Sequence, residues 1–177
     1  MRLKGKKAIV LVDQMYQEME VWYPLYRLRE EGAEVILVGL EAKVTYPSKV
    51  GYPAVSDKAA ADVSMADYDC LVIPGGYAPD HMRRHAAINK IVADAMRLNK
   101  VVAAICHAGW MLCSAPGALQ GRKVTSFFAI KDDMVNAGAD WSDAEVVRDR
   151  NLITSRKPDD LPAFMRTTIQ AIIEPAP

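Results

Sequence analysis

The chain has 177 residues, 51% of them hydrophobic and 25% charged, and its 22 basic and 22 acidic residues give a net charge of zero. This composition is typical of a globular protein, and we expect a single domain over residues 1–177. The balanced charge argues against nucleic acid or a membrane as a partner.

The start of the chain and its cysteines indicate the compartment. The basic segment MRLKGKK is followed only by the short apolar run AIVLV, which is too short for a secretory signal. No stretch reaches the length of a membrane-spanning helix. Three cysteines at unrelated spacings are not a disulfide framework, so we expect a reducing, cytoplasmic location.

The first third of the chain predicts a βαβ unit. Residues 7–13 (KAIVLVD) form an aliphatic run typical of a strand that is covered on both faces of a parallel sheet. A helix is expected over about residues 18–31, with Gly32 ending it in a left-handed conformation. Pro24 would either kink this helix or begin its longer part. Residues 34–40 give the second strand.

The rest of the chain continues the alternation of strands and helices. The expected elements are a hairpin within 43–55, strands at 70–73 and 101–105, helices within 89–99 and up to 113, short strands near 124, 146 and 153, and a last helix over 161–173. This order predicts an α/β fold with three layers and a doubly wound, mostly parallel sheet. Its ligand site should lie where the strands end, at the turns beginning with Asp13, Pro74 and Cys106.

The residues around Cys106 have the pattern of a nucleophile on a sharp turn between a strand and a helix. Such a turn is crowded, so the residues two before and two after must be small, and here they are Ala104 and Ala108. The helix that follows should favour the thiolate. The alternative is a buried cysteine that ends a strand. Cys70 and Cys113 lie in apolar periodic segments, where a core role is expected.

Two neighbouring features could assist Cys106. His107 could be a general base, although on a helix its side chain should diverge from that of the cysteine, and it could equally be a surface residue. Gly75 and Gly76 follow a strand and could aim backbone N–H groups at a developing oxyanion, or could form an ordinary turn.

Acidic and histidine side chains leave further alternatives. Glu18 and Glu20 could complement the dipole of the first helix, whereas a carboxylate buried beside the cysteine would be functional and have a raised pKa. His81 and His85 have the i, i+4 spacing of zinc ligands, but no convincing third ligand follows. We therefore expect no metal and no cofactor.

Several segments in a fixed order resemble the ThiJ/PfpI superfamily, in particular its PfpI-like intracellular peptidases and glyoxalase III-type proteins. They are EMEVWYPLYRLREEGAEV, LVIPGGYAPD, VVAAICHAG, SAPGALQGRKVTS, IKDDMVNAGADW and ITSRKPDDLPAFMR. The resemblance covers nearly the whole chain. It implies a flavodoxin-like fold related to class I glutamine amidotransferase domains.

The resemblance also implies roles for individual residues. Cys106 matches the nucleophile, His107 the histidine beside it, and Glu20 the buried glutamate that hydrogen-bonds the cysteine. Gly76 and the backbone of His107 match the oxyanion-binding groups. Asp80 matches an acidic residue that reaches the histidine from a neighbouring subunit, which implies a homo-oligomer, either a dimer or a hexamer. Some relatives carry glutamate at this position.

Three functions are compatible with this resemblance. The first is an enzyme for small reactive carbonyls, either a glutathione-independent glyoxalase that turns methylglyoxal into lactate or a deglycase of glycated side chains. The second is a cysteine peptidase or amidase with a Cys-His-Asp triad. The third is a redox-sensing or chaperone-like stress protein, whose thiol would oxidise rather than turn over substrate.

Overall fold

A computed structural model describes residues 1–175. Within this range the strands, numbered in chain order, are β1 (Lys7–Leu11), β2 (Glu34–Gly39), β3 (Thr45–Pro47), β4 (Pro53–Val55), β5 (Lys58–Ala59), β6 (Cys70–Ile73), β7 (Val101–Ile105), β8 (Lys123–Val124), β9 (Asp140–Trp141), β10 (Val146–Asp149) and β11 (Leu152–Ser155). The helices are α1 (Glu18–Glu30), α2 (Ala78–Met82), α3 (Ala86–Arg97), α4 (Gly109–Cys113), α5 (Lys131–Asn136) and α6 (Leu161–Ile173).

The central sheet has seven strands in the order β10-β11-β7-β6-β1-β2-β5. Every neighbouring pair is parallel except β10 with β11. The four strands β1, β6, β7 and β11 are buried almost throughout, as expected for aliphatic strands covered on both faces. The predicted α/β fold with a mostly parallel sheet is confirmed.

Helices cover both faces of this sheet. Helix α1 packs against α6 on one face, and α3 packs against α4 on the other. Helix α1 runs through Pro24 without interruption and ends where Gly32 takes a φ of +95°. The predicted bounds of α6 are confirmed, whereas α3 begins three residues before the predicted position.

Three local predictions have different outcomes. The hairpin is confirmed, because β3 and β4 pair antiparallel. The strand near residue 124 exists, but it pairs with β9 in a separate two-stranded sheet. The i, i+4 argument for His81 and His85 is wrong, because α2 ends at Met82 and His85 caps the start of α3. Within residues 1–175 no three His, Cys, Asp or Glu side chains are arranged to hold a metal ion.

The strand order of the central sheet reverses at β1, which is the topological switch point of the fold. The chain first adds β2 on one side of β1 and then β6 on the other side. Ligands of doubly wound folds bind at such a point, beyond the carboxyl ends of the strands. The loop before α1, the turn after β6 and the turn after β7 all meet there.

Among residues 1–175, no helix has the length and apolar character needed to cross a membrane.

Candidate active site

Cys106 lies on the sharp turn that the sequence predicts. It follows β7 directly, has a φ of +63°, and opens a 3-10 turn that continues into α4. A positive φ is uncommon for a residue other than glycine, and such strained positions concentrate at functional sites. Ala104 and Ala108 are buried, which explains the small side chains on either side of the cysteine. Cys106 itself is 8% exposed, so its sulfur reaches the surface only through a cavity.

Gly75 and Gly76 pack their backbone against the cysteine. A side chain at Gly75 would place its Cβ only 2.7 Å from the Cβ of Cys106 and 2.7 Å from Oε2 of Glu20, so only glycine fits. Gly76 has a φ of +74°. The backbone amides of Gly76 and His107 face the sulfur of Cys106 and lower the pKa of its thiol. Two amides directed at one atom can also hold the oxyanion of a carbonyl under attack.

Glu20 is the buried acid of the site. It lies in the first turn of α1 with no exposed surface, and its backbone N–H donates to the Gln17 side chain at 3.0 Å. The Gly75 amide donates to its Oε2 at 2.7 Å. The other oxygen, Oε1, is buried, and no oxygen or nitrogen donor of residues 1–175 reaches it. The Cys106 side chain lies beside the carboxyl and helps to lower its pKa. Glu20 therefore does more than complement the helix dipole.

Burial sets the charge of this pair. It raises the pKa of Glu20 to about 7, although the hydrogen bond from Gly75 and the neighbouring Cys106 side chain act in the opposite direction. The pKa of Cys106 is also raised, first by burial and then by the negative charge of Glu20, while the amides of Gly76 and His107 lower it. The expectation that the turn and helix after Cys106 would favour the thiolate holds only in direction, because the His107 amide at their start lowers this pKa but burial and Glu20 outweigh it. Since each charge opposes the other, the pair carries at most one negative charge near neutral pH.

His107 lies closer to the cysteine than the sequence indicated. Its Nδ1 is 3.3 Å from the Cys106 sulfur, whereas a regular helix would separate the two side chains. The left-handed conformation of Cys106 accounts for this difference, because it turns the sulfur out of the helical direction. The imidazole packs between the rings of Trp110 and Phe127, with centroid distances of 5.1 and 4.9 Å. Burial lowers the pKa of His107, which favours the neutral ring that a general base requires.

A cavity of about 410 Å³ opens above the sulfur. This volume is in the range of small-molecule sites. Its lining consists of Gln17, Lys49, Gly76, Tyr77, Cys106, His107, Phe127, Lys157 and Pro158. The thiol of Cys106, the imidazole of His107, two backbone amides and a buried carboxyl thus meet at a cavity of small-molecule size.

The sequence model of the DJ-1/PfpI family matches residues 6–171. The chain belongs to the DJ-1/PfpI family. Among its relatives, the deglycase PfpI of Pyrococcus furiosus is 40% identical over 166 residues, which are 94% of this chain and 99% of the relative. Protein/nucleic acid deglycase 2 of Escherichia coli is 38% identical over 170 residues, 95% of this chain and 98% of the relative.

A solved structure has the same fold as this DJ-1/PfpI chain. It is a two-domain protein from Anabaena variabilis that contains DJ-1/ThiJ/PfpI-like and ferritin-like domains, and it is 37% identical with a TM-score of 0.92. The match covers 95% of this chain and 48% of that protein, so the chain spans about half of its length.

Asp80, unlike the other predicted site residues, does not contact the catalytic groups within the described part of one chain. It lies in α2, its carboxylate pairs with Arg84, and it makes no hydrogen bond or ion pair with His107 within residues 1–175. One DJ-1/PfpI chain therefore brings together Cys106, His107 and Glu20 without Asp80. The shared triad remains a prediction.

Sequence reasoning missed two lysines of the cavity. Lys157 comes two residues after β11, at the edge where the strands end, so the topology rule could have found it. Lys49 lies in the turn between β3 and β4 and does not follow a strand of the central sheet in the sequence. No pattern in the sequence indicates that this turn reaches the cysteine.

Proposed function

We propose that this protein is a cysteine-dependent enzyme for small reactive carbonyl compounds. It converts 2-oxoaldehydes such as methylglyoxal into hydroxy acids without glutathione, and it removes early adducts of these aldehydes from side chains. The observation that carries the proposal is the contact of Cys106 with Glu20, a carboxyl with a pKa of about 7, beneath a small cavity. The deglycase names of two relatives support it.

The first step forms a bond between sulfur and carbon. The thiol of Cys106 gives its proton to Glu20, and the thiolate attacks the aldehyde carbon. The carbonyl electrons move to oxygen, where the amides of Gly76 and His107 stabilise the oxyanion. Glu20 then returns the proton to this oxygen, which gives a hemithioacetal. A carboxyl with a pKa near the working pH can both accept and donate this proton.

The second step moves a proton between two carbon atoms. Glu20 or His107 removes the hydrogen on the carbon bound to sulfur, and the neighbouring carbonyl becomes an enol. Return of the proton to that neighbouring carbon gives a thioester of the hydroxy acid. Water attacks the thioester, releases the hydroxy acid and restores the thiol, so the net reaction adds one water to the 2-oxoaldehyde. With an adduct as substrate, the amine or thiol that carried the aldehyde leaves when sulfur bonds to its carbon.

The 3.3 Å distance between the Cys106 sulfur and Nδ1 of His107 favours a second candidate, a cysteine peptidase. The thiolate would attack a peptide carbonyl, and His107 would protonate the leaving amine. In this reaction Asp80 of a neighbouring subunit would orient the imidazole. The small cavity favours the first candidate, because a peptide would extend well beyond it.

One experiment separates the two candidates. Purified protein is given methylglyoxal without glutathione, and lactate is measured. Fluorogenic peptides are given to the same preparation. We expect saturable lactate production and little release of the fluorophore. Peptide hydrolysis without lactate would replace the first candidate by the second, and the absence of both reactions would contradict the enzyme proposal.

A further inference from the structure

The cavity above Cys106 has two cationic side chains in its lining and no carboxylate. The cations are Lys49 and Lys157, which the proposed reaction does not use. The chain as a whole has no net charge, so this is a local concentration of positive charge. A cavity lined by one sign of charge attracts a ligand of the opposite sign.

The backbone holds Lys49 beside the cavity. Its N–H donates to the carbonyl of Tyr16 at 3.1 Å, and Tyr16 is fully buried immediately before Gln17 of the cavity lining. The turn is closed by the hydroxyl of Ser48, which accepts from the amide of Tyr52 at 2.9 Å. The ammonium group of Lys49 thus extends from a fixed point at the cavity rim.

The charge of Lys49 acts on the reactive groups and is not neutralised by an ion pair. It contributes to lowering the pKa of both Glu20 and His107, although burial is the largest influence on each. No carboxylate of residues 1–175 lies within ion-pair distance of it. The nearby acid Glu18, whose pKa Lys49 helps to lower, lies beyond ion-pair distance and accepts from the amide of Val50 at 3.1 Å.

Lys157 differs in this respect. Its Nζ lies 3.1 Å from Oδ2 of Asp159, which neutralises part of its charge. Of the two cationic side chains of the lining, Lys49 is therefore the better placed to bind an anion.

We propose that Lys49 binds an anionic group of the substrate, a carboxylate or a phosphate, while the carbonyl of the same molecule lies against Cys106. The preferred substrates are then reactive carbonyl compounds that carry an acid group. This inference deepens the proposed function and rests on it for the chemistry at Cys106. An ammonium group is a compact point charge and can hold either kind of anion.

The test compares two alkylating reagents that differ in charge. Iodoacetate is an anion and iodoacetamide is neutral, and both label the Cys106 thiolate. The ratio of their second-order rate constants cancels any change in the thiolate fraction. We expect Lys49→Gln to lower the iodoacetate-to-iodoacetamide ratio by roughly 3- to 10-fold at low salt. Lys49→Arg should keep the ratio of the wild type, because it keeps the charge.

Lys58→Gln is the matched control, since Lys58 is exposed on β5 and does not line the cavity. It should leave the ratio unchanged. An equal fall of the ratio in Lys58→Gln, or no fall in Lys49→Gln, would overturn the proposal.

A protection experiment identifies the anion. Acetate and inorganic phosphate are added at equal ionic strength before iodoacetamide. At least one of them should slow the labelling of wild type, and Lys49→Gln should lose this protection. The anion that protects Cys106 more strongly from labelling indicates whether the substrate group is a carboxylate or a phosphate. Protection by neither anion, or equal protection of Lys49→Gln, would overturn the proposal. Alkylation needs no turnover, so a protein that passes these tests without forming lactate would contradict only the proposed function.

Discussion

The carboxyl of Glu20 accepts a hydrogen bond from the backbone amide of Gly75 at 2.7 Å. This bond joins the first turn of α1 to the turn after β6, and it places the carboxyl beside the sulfur of Cys106. No side chain fits at Gly75, so the approach of the two elements depends on glycine at this position. The Glu20 carboxyl and the Cys106 thiol therefore titrate as a coupled pair, in which the charge of one group affects the pKa of the other.

The reactivity of Cys106 should follow the protonation of this pair. We expect the rate of alkylation by iodoacetamide to rise through about pH 7 in the wild type, where Glu20 titrates. Protonated Glu20 can donate a hydrogen bond to the thiolate, which a glutamine amide does less strongly, so in Glu20→Gln labelling near neutral pH should be about tenfold slower and its rise should move to higher pH. Glu30→Gln is the control, since Glu30 is exposed at the other end of α1, and it should behave as wild type. Superimposable pH profiles of wild type and Glu20→Gln would remove Glu20 from the site.

Burial of Glu20 should also make the protein less stable as the pH rises. Its pKa in the folded state is about 7 against an ordinary value of 4.5, so the folded state holds the proton more tightly. The stabilisation from Glu20 is complete below about pH 4.5 and is lost as the pH rises through 7, and the total is about 3 kcal/mol. Urea unfolding at pH 5 and pH 8 measures this loss. Glu20→Gln should lose less stability between these two values, and an equal loss in both proteins would contradict the assigned pKa.

The three cysteines should differ sharply in reactivity. Cys106 opens to the cavity and can pass its proton to Glu20. Cys70 is fully buried in β6, and burial raises its pKa strongly. Burial raises the pKa of Cys113 as it does that of Cys106, but Cys113 contacts the Asp133 carbonyl and the Met134 sulfur rather than a carboxyl that can take its proton. Brief labelling with iodoacetamide followed by peptide mass spectrometry should therefore find the label on Cys106. Equal labelling of Cys70 or Cys113 in the folded protein would refute this difference.

The sequence predicts the parts of this site that depend on strands. Aliphatic runs predict β1, β6 and β7, and parallel strands end at one edge, so Gly75 and Cys106 are expected to meet. The small residues Ala104 and Ala108 identify the sharp turn from steric crowding alone. These signals are local, whereas the order of the strands in the sheet is known only from the structure.

Other parts of the site could not be predicted from the sequence. The approach of His107 to the sulfur depends on the φ of +63° at Cys106, which no sequence pattern specifies. The pKa of Cys106 depends on burial and on Glu20, whose combined effect exceeds that of the amides of Gly76 and His107. Lys49 reaches the cavity through a turn held by Tyr16, and such a contact is visible only in three dimensions.

The shared triad predicts an oligomer whose subunits complete each other. Asp80→Ala should slow peptide hydrolysis more than lactate formation, because only hydrolysis depends on an oriented His107. Dissociating and reassembling Asp80→Ala together with Cys106→Ser should restore part of the peptidase activity, since a mixed site holds one intact copy of each residue. Cys106→Ser reassembled alone is the control. A monomer by light scattering with full activity, or equal losses in both reactions, would contradict a site shared between subunits.

Formation of lactate from methylglyoxal by cysteine variants shows whether Cys106 is the nucleophile of the proposed reaction. Wild type, Cys106→Ser and Cys113→Ser are assayed without glutathione at equal concentration, with circular dichroism to confirm their folding. If the Cys106 thiolate attacks the aldehyde, Cys113→Ser should keep the activity of the wild type and Cys106→Ser should form no lactate above the uncatalysed rate. Lactate formation by folded Cys106→Ser at a rate close to that of wild type would contradict this role of Cys106.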